Sequence, residues 1–162
     1  KSCLAAAELG VWMVNIHSSG GGKMMLQTMK EMKQNNHSTL VLGVTMLTSI
    51  DENEMKEIGY KNSMEQQVLQ MAEMSYRSNL NGIVCSAKES KIVKSRFPDN
   101  FLCVCPGIRS IDDSKNDQKR IMTPKMAFEN GADYIVVGRP ITESENPLET
   151  LKSINKEFNN LL

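Results

Sequence analysis

Gly131-Ala-Asp-Tyr-Ile-Val-Val-Gly-Arg-Pro-Ile-Thr142 reads as a strand that runs into a phosphate cradle, and the chain before it repeats the same strand-then-helix form. Residues 134–137 are apolar, rich in β-branched side chains and without alternation, which predicts a strand buried on both faces, as in a parallel sheet. Gly138 has no Cβ to keep a ligand away from its backbone. Arg139 follows with a permanent, forked charge that matches phosphate oxygens, and Pro140 can open a short helix whose free N–H groups point the same way. The same residues also suit an ordinary strand-to-helix turn with a solvated arginine, so the cradle needs support from the rest of the chain.

That support lies upstream. Val11-Trp-Met-Val-Asn-Ile16 predicts a strand, His17-Ser-Ser-Gly-Gly-Gly22 a loop, and Lys23 the start of a helix whose Met24, Met25, Met29 and Met32 are spaced for core packing. His17 reads either as a loop residue bonded to backbone or as a ligand contact, the former favoured. Residues 39–46 predict a second buried strand, with Thr48 and Ser49 just beyond it. Residues 51–58 suggest a short acidic helix, and Ser63 caps a longer one to about Tyr76, with Gln66 at the capping-box position. Ile83-Val-Cys85 is a third strand with a helix to about Arg96, and Phe101-Leu-Cys-Val-Cys105 a fourth, ended by Pro106. Residues 110–123 form a polar loop long enough to suggest a lid. A short helix over residues 124–130, the fifth strand and a final helix over residues 146–162 complete the chain, with Leu148, Leu151, Ile154 and Phe158 on one face of that last helix.

Five strand–helix units with glycine, hydroxyl and arginine chemistry after strand ends predict a (β/α) barrel, whose function sits at the C-terminal rim of the strands. A doubly wound open sheet is the alternative. Against it, Gly20-Gly21-Gly22 lacks the Gly-x-Gly-x-x-Gly spacing of a dinucleotide site. At 162 residues, one domain over 1–162 is expected. Nineteen basic residues balance nineteen acidic ones, so no field directs the chain to nucleic acid or a membrane surface. No apolar run approaches the roughly 18 residues of a membrane span. The expectation is a soluble, cytoplasmic protein. Cys85, Cys103 and Cys105 lie in apolar strands, and no second cysteine pair or spaced histidine joins them, so neither disulfides nor a metal are expected.

Thr45-Met-Leu-Thr-Ser49, Val84-Cys-Ser-Ala87, Pro106-Gly-Ile-Arg109, Asp117-Gln118 and Val137-Gly-Arg-Pro-Ile-Thr142, in this order, strongly resemble orotidine 5′-monophosphate decarboxylase, especially its bacterial form. The resemblance implies an eight-stranded α/β TIM barrel, a homodimer, converting orotidine 5′-monophosphate to uridine 5′-monophosphate in de novo pyrimidine biosynthesis without metal or organic cofactor. It also implies that Thr48 contacts the pyrimidine, that Gln118, Gly138 and Arg139 hold the phosphate beneath the loop, and that Arg109 lies with the ligand. Related phosphosugar decarboxylases and synthases share the phosphate end, without the Leu-Thr-Ser and Pro-Gly-Ile-Arg pair.

One departure bears on chemistry. The family's Asp-Lys-x-x-Asp motif, and an earlier aspartate and lysine, are not in this sequence, so no catalytic residue is expected in it. The lysine would protonate the carbon that loses carboxylate, and the paired carboxylates would oppose the substrate's own. The expectation is that this chain supplies about strands 4–8, with about 80 further residues carrying the motif ahead of Lys1, given compact barrels of somewhat under about 250 residues. A non-catalytic nucleotide-binding or structural barrel fragment is the second class that stays open.

Overall fold

The computed structural model describes residues 1–109 and 122–159. Five parallel strands form one sheet in the order β1 (Met13–His17), β2 (Leu40–Val44), β3 (Gly82–Val84), β4 (Leu102–Cys105) and β5 (Tyr134–Ile135). Between them run α1 (Ser2–Glu8), which precedes β1, then α2 (Gly22–Gln34), α3 (Glu52–Glu57), α4 (Met64–Arg77), α5 (Ala87–Arg96) and α6 (Pro124–Glu129). After β5 come α7 (Arg139–Thr142) and α8 (Pro147–Asn159).

The strand order decides the architecture. A doubly wound sheet reverses direction at a switch point and carries helices on both faces. Here every strand adds beside its predecessor in chain order, so crossovers of one hand put all the helices on a single face. The sheet also curls. Trp12, next to β1, meets Tyr134 of β5 edge-on with ring centroids 5.0 Å apart. Four flat inter-strand steps would separate those strands by about 19 Å, too far for side chains that stand off the sheet to meet.

Ladder register sorts the side chains. His17, Val44, Val84, Val104 and Tyr134 are successive partners and share the concave face. Ile16, Gly43, Ile83 and Cys103 share the opposite face, against the helices. There the main core gathers Ile83, Cys85, Cys103 and Cys105 with Val68, Met71, Ala72, Val93 and Ala127, and a smaller cluster joins Val41 to Ala7, Met25, Met32 and Leu80. Concave-facing residues are exposed in both edge strands: Asn15 and His17 in β1, where Met13 is half-buried, and Tyr134 in β5 with Val136 just beyond it. This corrects the expectation of burial on both faces over residues 134–137. An edge of the curled sheet has a helix layer on one side only.

Local sequence explains the starts of α3 to α6. Asp51 with Glu54, Ser63 with Gln66 and Ser86 with Glu89 each close a capping box, satisfying amide donors that a helix start otherwise leaves open. Thr123 caps α6, with Pro124 in its first turn. At the N-terminal ends of β4 and β5, the Asp133 carboxylate accepts from the Cys103 amide at 2.6 Å and pairs with Lys94 at 2.7 Å. The Lys94 ammonium also donates to the carbonyls of Asp99 and Phe101. One cation thereby ties α5 to both strand entries.

Behind β2, the hydroxyls of Ser18 and Ser75 are fully buried and 2.9 Å apart, and Ser75 donates to the Met71 carbonyl. A Cβ at Gly43 would run into both of those hydroxyls. Gly43 is therefore the space that lets the turn after β1 bond to α4. Gly43→Ala should cost about 1–3 kcal/mol by overpacking, read from urea unfolding. A loss below about 0.5 kcal/mol, the range of an ordinary surface change, would show that the serine pair yields freely.

Candidate active-site rim

The C-terminal ends of the strands bring the sequence-predicted residues to one rim. Past β2, Thr45 stays on the ladder: its amide donates to the Val84 carbonyl at 3.1 Å and its hydroxyl to the same oxygen at 2.8 Å. Met46 is buried in the main core, and Leu47, Thr48 and Ser49 then emerge into solvent, turned by an Ile50 amide to Leu47 carbonyl bond. Past β4, Gly107 adopts a left-handed φ of +78° that swings the chain over the rim. Ile108 turns back into the core, and the Arg109 amide donates to the Met122 carbonyl at 3.1 Å. That bond joins the two ends of the segment 110–121.

These two turns approach each other. The Thr48 Oγ1 lies 3.8 Å from where a Cβ on Gly107 would sit, so the loops after β2 and β4 come close together across the end of β3. Thr48 and the Pro106–Arg109 turn, chosen separately in sequence, are neighbours in space. Gly138 and Arg139 stand at the end of β5, the strand beside β4. Both are exposed, and among the described residues nothing lies within 4 Å of where a Gly138 Cβ would be. Arg139 is the first residue of α7, followed by Pro140, and the Gly138 carbonyl accepts from the amides of Ile141 and Thr142. Gln118 lies outside the described residues.

Two features of the rim lie outside what the sequence predicted. His17, read as a loop residue, is the last residue of β1 and falls on the concave face in the row of Val44, Val84 and Val104. The alternation of apolar Val14 and Ile16 with polar Asn15 and His17 could have placed it. The second is the double bond of Thr45 to Val84, which only the β2–β3 pairing creates. Among the described residues no three His, Cys, Asp or Glu side chains converge to hold a metal, and no helix is long and apolar enough to cross a membrane. Behind the rim, the Cys103 thiol, then the Cys105 thiol, then burial push Cys85 well above its ordinary 9.0. A raised thiol stays neutral, so its contribution to stability is complete below about pH 9 and is lost as pH climbs toward the folded value. Cys85 is thus a packing residue, without the thiolate a nucleophile requires.

Comparison with known proteins places this geometry. The family model described as "Orotidine 5'-phosphate decarboxylase / HUMPS family" matches residues 1–154. The chain belongs to this family. It is 45% identical over 160 residues to the orotidine 5′-phosphate decarboxylase of Coxiella burnetii (strain RSA 493 / Nine Mile phase I), covering 97% of this chain and 67% of that protein. The relative of the same name from Pseudoalteromonas translucida is 43% identical over 159 residues, covering 98% and 68%. The crystal structure of orotidine 5′-phosphate decarboxylase from Lactobacillus acidophilus superposes with a TM-score of 0.82 at 37% identity, over 96% of this chain and 66% of that one. The chain spans about two thirds of the length of the relatives it matches. Its singly wound sheet is part of a (β/α)8 barrel, the fold of those relatives.

Gly107 is the rim glycine whose φ demands glycine. Gly107→Ala should cost about 1–2 kcal/mol, the strain of a left-handed residue with a Cβ, read from urea unfolding. A loss below about 0.5 kcal/mol, the range of an ordinary surface change, would contradict this reading of the turn.

Proposed function

We propose that this chain carries the pyrimidine- and phosphate-binding part of an orotidine 5′-phosphate decarboxylase. It corresponds to the C-terminal part of the barrel, about strands 4–8, within a single domain. The observation that supports this most directly is the proximity of the Thr48 turn to the Gly107 turn, one strand away from the open Gly138–Arg139 corner on the same rim. In this reading Thr48 reads the polar edge of the base, Arg109 lies with the ligand, and Gly138 and Arg139 take the phosphate together with Gln118. The active protein works in the cytoplasm as a homodimer, without cofactor.

The chemistry divides accordingly. Loss of carbon dioxide from the pyrimidine leaves a carbanion that must be protonated, and neither the lysine that would do this nor the paired carboxylates that would oppose the substrate's own are in the sequence. This chain's own residues hold the base in place and grip the phosphate. Phosphate held far from the reacting carbon supplies binding energy that can order the loop and assemble the site, lowering the barrier and not merely tightening substrate.

Two experiments test the proposal. The chain expressed alone should show no decarboxylation of orotidine 5′-monophosphate by ultraviolet absorbance. Paired with the N-terminal third of the Coxiella burnetii relative, it should become active. Turnover by the chain alone would show that the chemistry lies in residues given no catalytic role here. In the paired protein, Arg139→Ala should weaken uridine 5′-monophosphate by roughly 10- to 150-fold, the worth of a charge-assisted contact of about 1.5–3 kcal/mol, and leave uridine almost unchanged. Equal losses for nucleotide and nucleoside would make Arg139 a structural residue and move the phosphate site elsewhere.

A further inference from the structure

We infer that Thr45 is a positioning residue for recognition of the nucleobase: its hydroxyl, bonded to the Val84 carbonyl, fixes where Thr48 stands on the rim. The inference rests on the reading of Thr48 as the base contact and extends it to a residue that touches no ligand.

The regular pairing of β2 ends at Val44, yet the next residue remains bound to β3 twice. The Val84 oxygen accepts from the Thr45 amide at 3.1 Å and from its hydroxyl at 2.8 Å. A carbonyl oxygen has two lone pairs, and both are used here. Thr45 is 5% exposed, so no water can replace the hydroxyl bond at low cost. Packing alone would be served as well by valine, which has the same branched shape without the polar atom. The hydroxyl is therefore there for its direction.

What it directs is the next turn. Met46 is anchored in the core, and three residues after Thr45 the Thr48 Oγ1 stands beside Gly107. The path from 45 to 48 thus has two fixed points, the Val84 bond and the Met46 side chain, and then a free turn. Removing the hydroxyl bond leaves the amide bond and the core anchor, so β2 stays paired while the approach to Thr48 loosens. A shift of this kind would disturb an aligned hydrogen bond to the base, since such bonds weaken steeply with angle. It would not reach Gly138 and Arg139, which are carried by β5, two strands beyond β3.

The test separates base from phosphate in the paired protein. Titration calorimetry of Thr45→Val should show uridine 5′-monophosphate weakened about 3- to 10-fold, the worth of one hydrogen bond, with ribose 5-phosphate, which has no base, within about twofold. Thr45→Ser, which restores a hydroxyl, should return to parent affinity. Thr45→Ala provides the same deletion should the valine variant not fold. Equal weakening of both ligands, or no weakening of either, overturns the inference. If the unaltered paired protein binds neither ligand, the functional reading fails first and this inference falls with it.

Discussion

Parallel hydrogen bonding between strands taken strictly in chain order is the constraint on which the other features of this molecule depend. A parallel connection needs a crossover, and crossovers of one hand between consecutive neighbours lay every helix on the same face of the sheet. Among the described residues the opposite face has no layer of its own. It becomes an interior only as the sheet curls, and the contact of Trp12 with Tyr134 records that curl between the two outermost strands. The same winding points all five C-terminal strand ends one way, so residues far apart in sequence arrive on one rim without any direct attraction between them.

The convex face supplies the rigidity the rim needs. Cys85, Cys103 and Cys105 are small enough to let α4 and α5 press against β3 and β4, where a larger side chain would hold them off. Gly43 does the same behind β2 and admits the bond between Ser18 and Ser75, 57 residues apart. Each device acts at the back of a strand and is felt at its end: Ser18 follows His17, Cys85 precedes Ser86, and Met46 leads to Thr48. Packing on one face and chemistry on the rim are successive residues of the same chain.

What the sequence made legible follows from how local each signal is. The capping box of Ser63 with Gln66 and the proline of α6 are short-range, and both stand where they were read. The strand-to-helix order was equally local, and it led to the barrel. Limits of strands were not local. A strand over residues 11–16 was the expectation, but β1 runs Met13–His17 because its partner is Leu40–Val44 and pairing sets both ends. β5 retains two residues because only Val104 and Cys105 face it across the ladder. Nothing marks the start of α1, whose Lys1 makes no side-chain cap bond. For the site, Thr48, Gly138 and Arg139 were visible as residue types beyond strand ends. The proximity of Thr48 to Gly107 was not, since it joins turns from strands that are not even neighbours.

The exposed residues point to a division of labour between the two faces. On the convex side burial is nearly complete at Val41, Ile83, Cys103 and Cys105, as expected of a finished core. On the concave side it is graded: Leu42 and Val104 in the middle strands are buried, while Trp12, Tyr134 and Val136 at the margins are 58%, 40% and 52% exposed. Beyond β5, α8 repeats the gradient, with Ile154 covered and Leu148 and Leu151 open. Apolar side chains left open along both margins, next to strand edges with unpaired backbone groups, are costly in water and invite further pairing. Closure by more strand–helix units of the same hand would bury all of them at once, because it extends the ladder that already orders the chain. Such closure would also bring new strand ends beside His17 on the concave face.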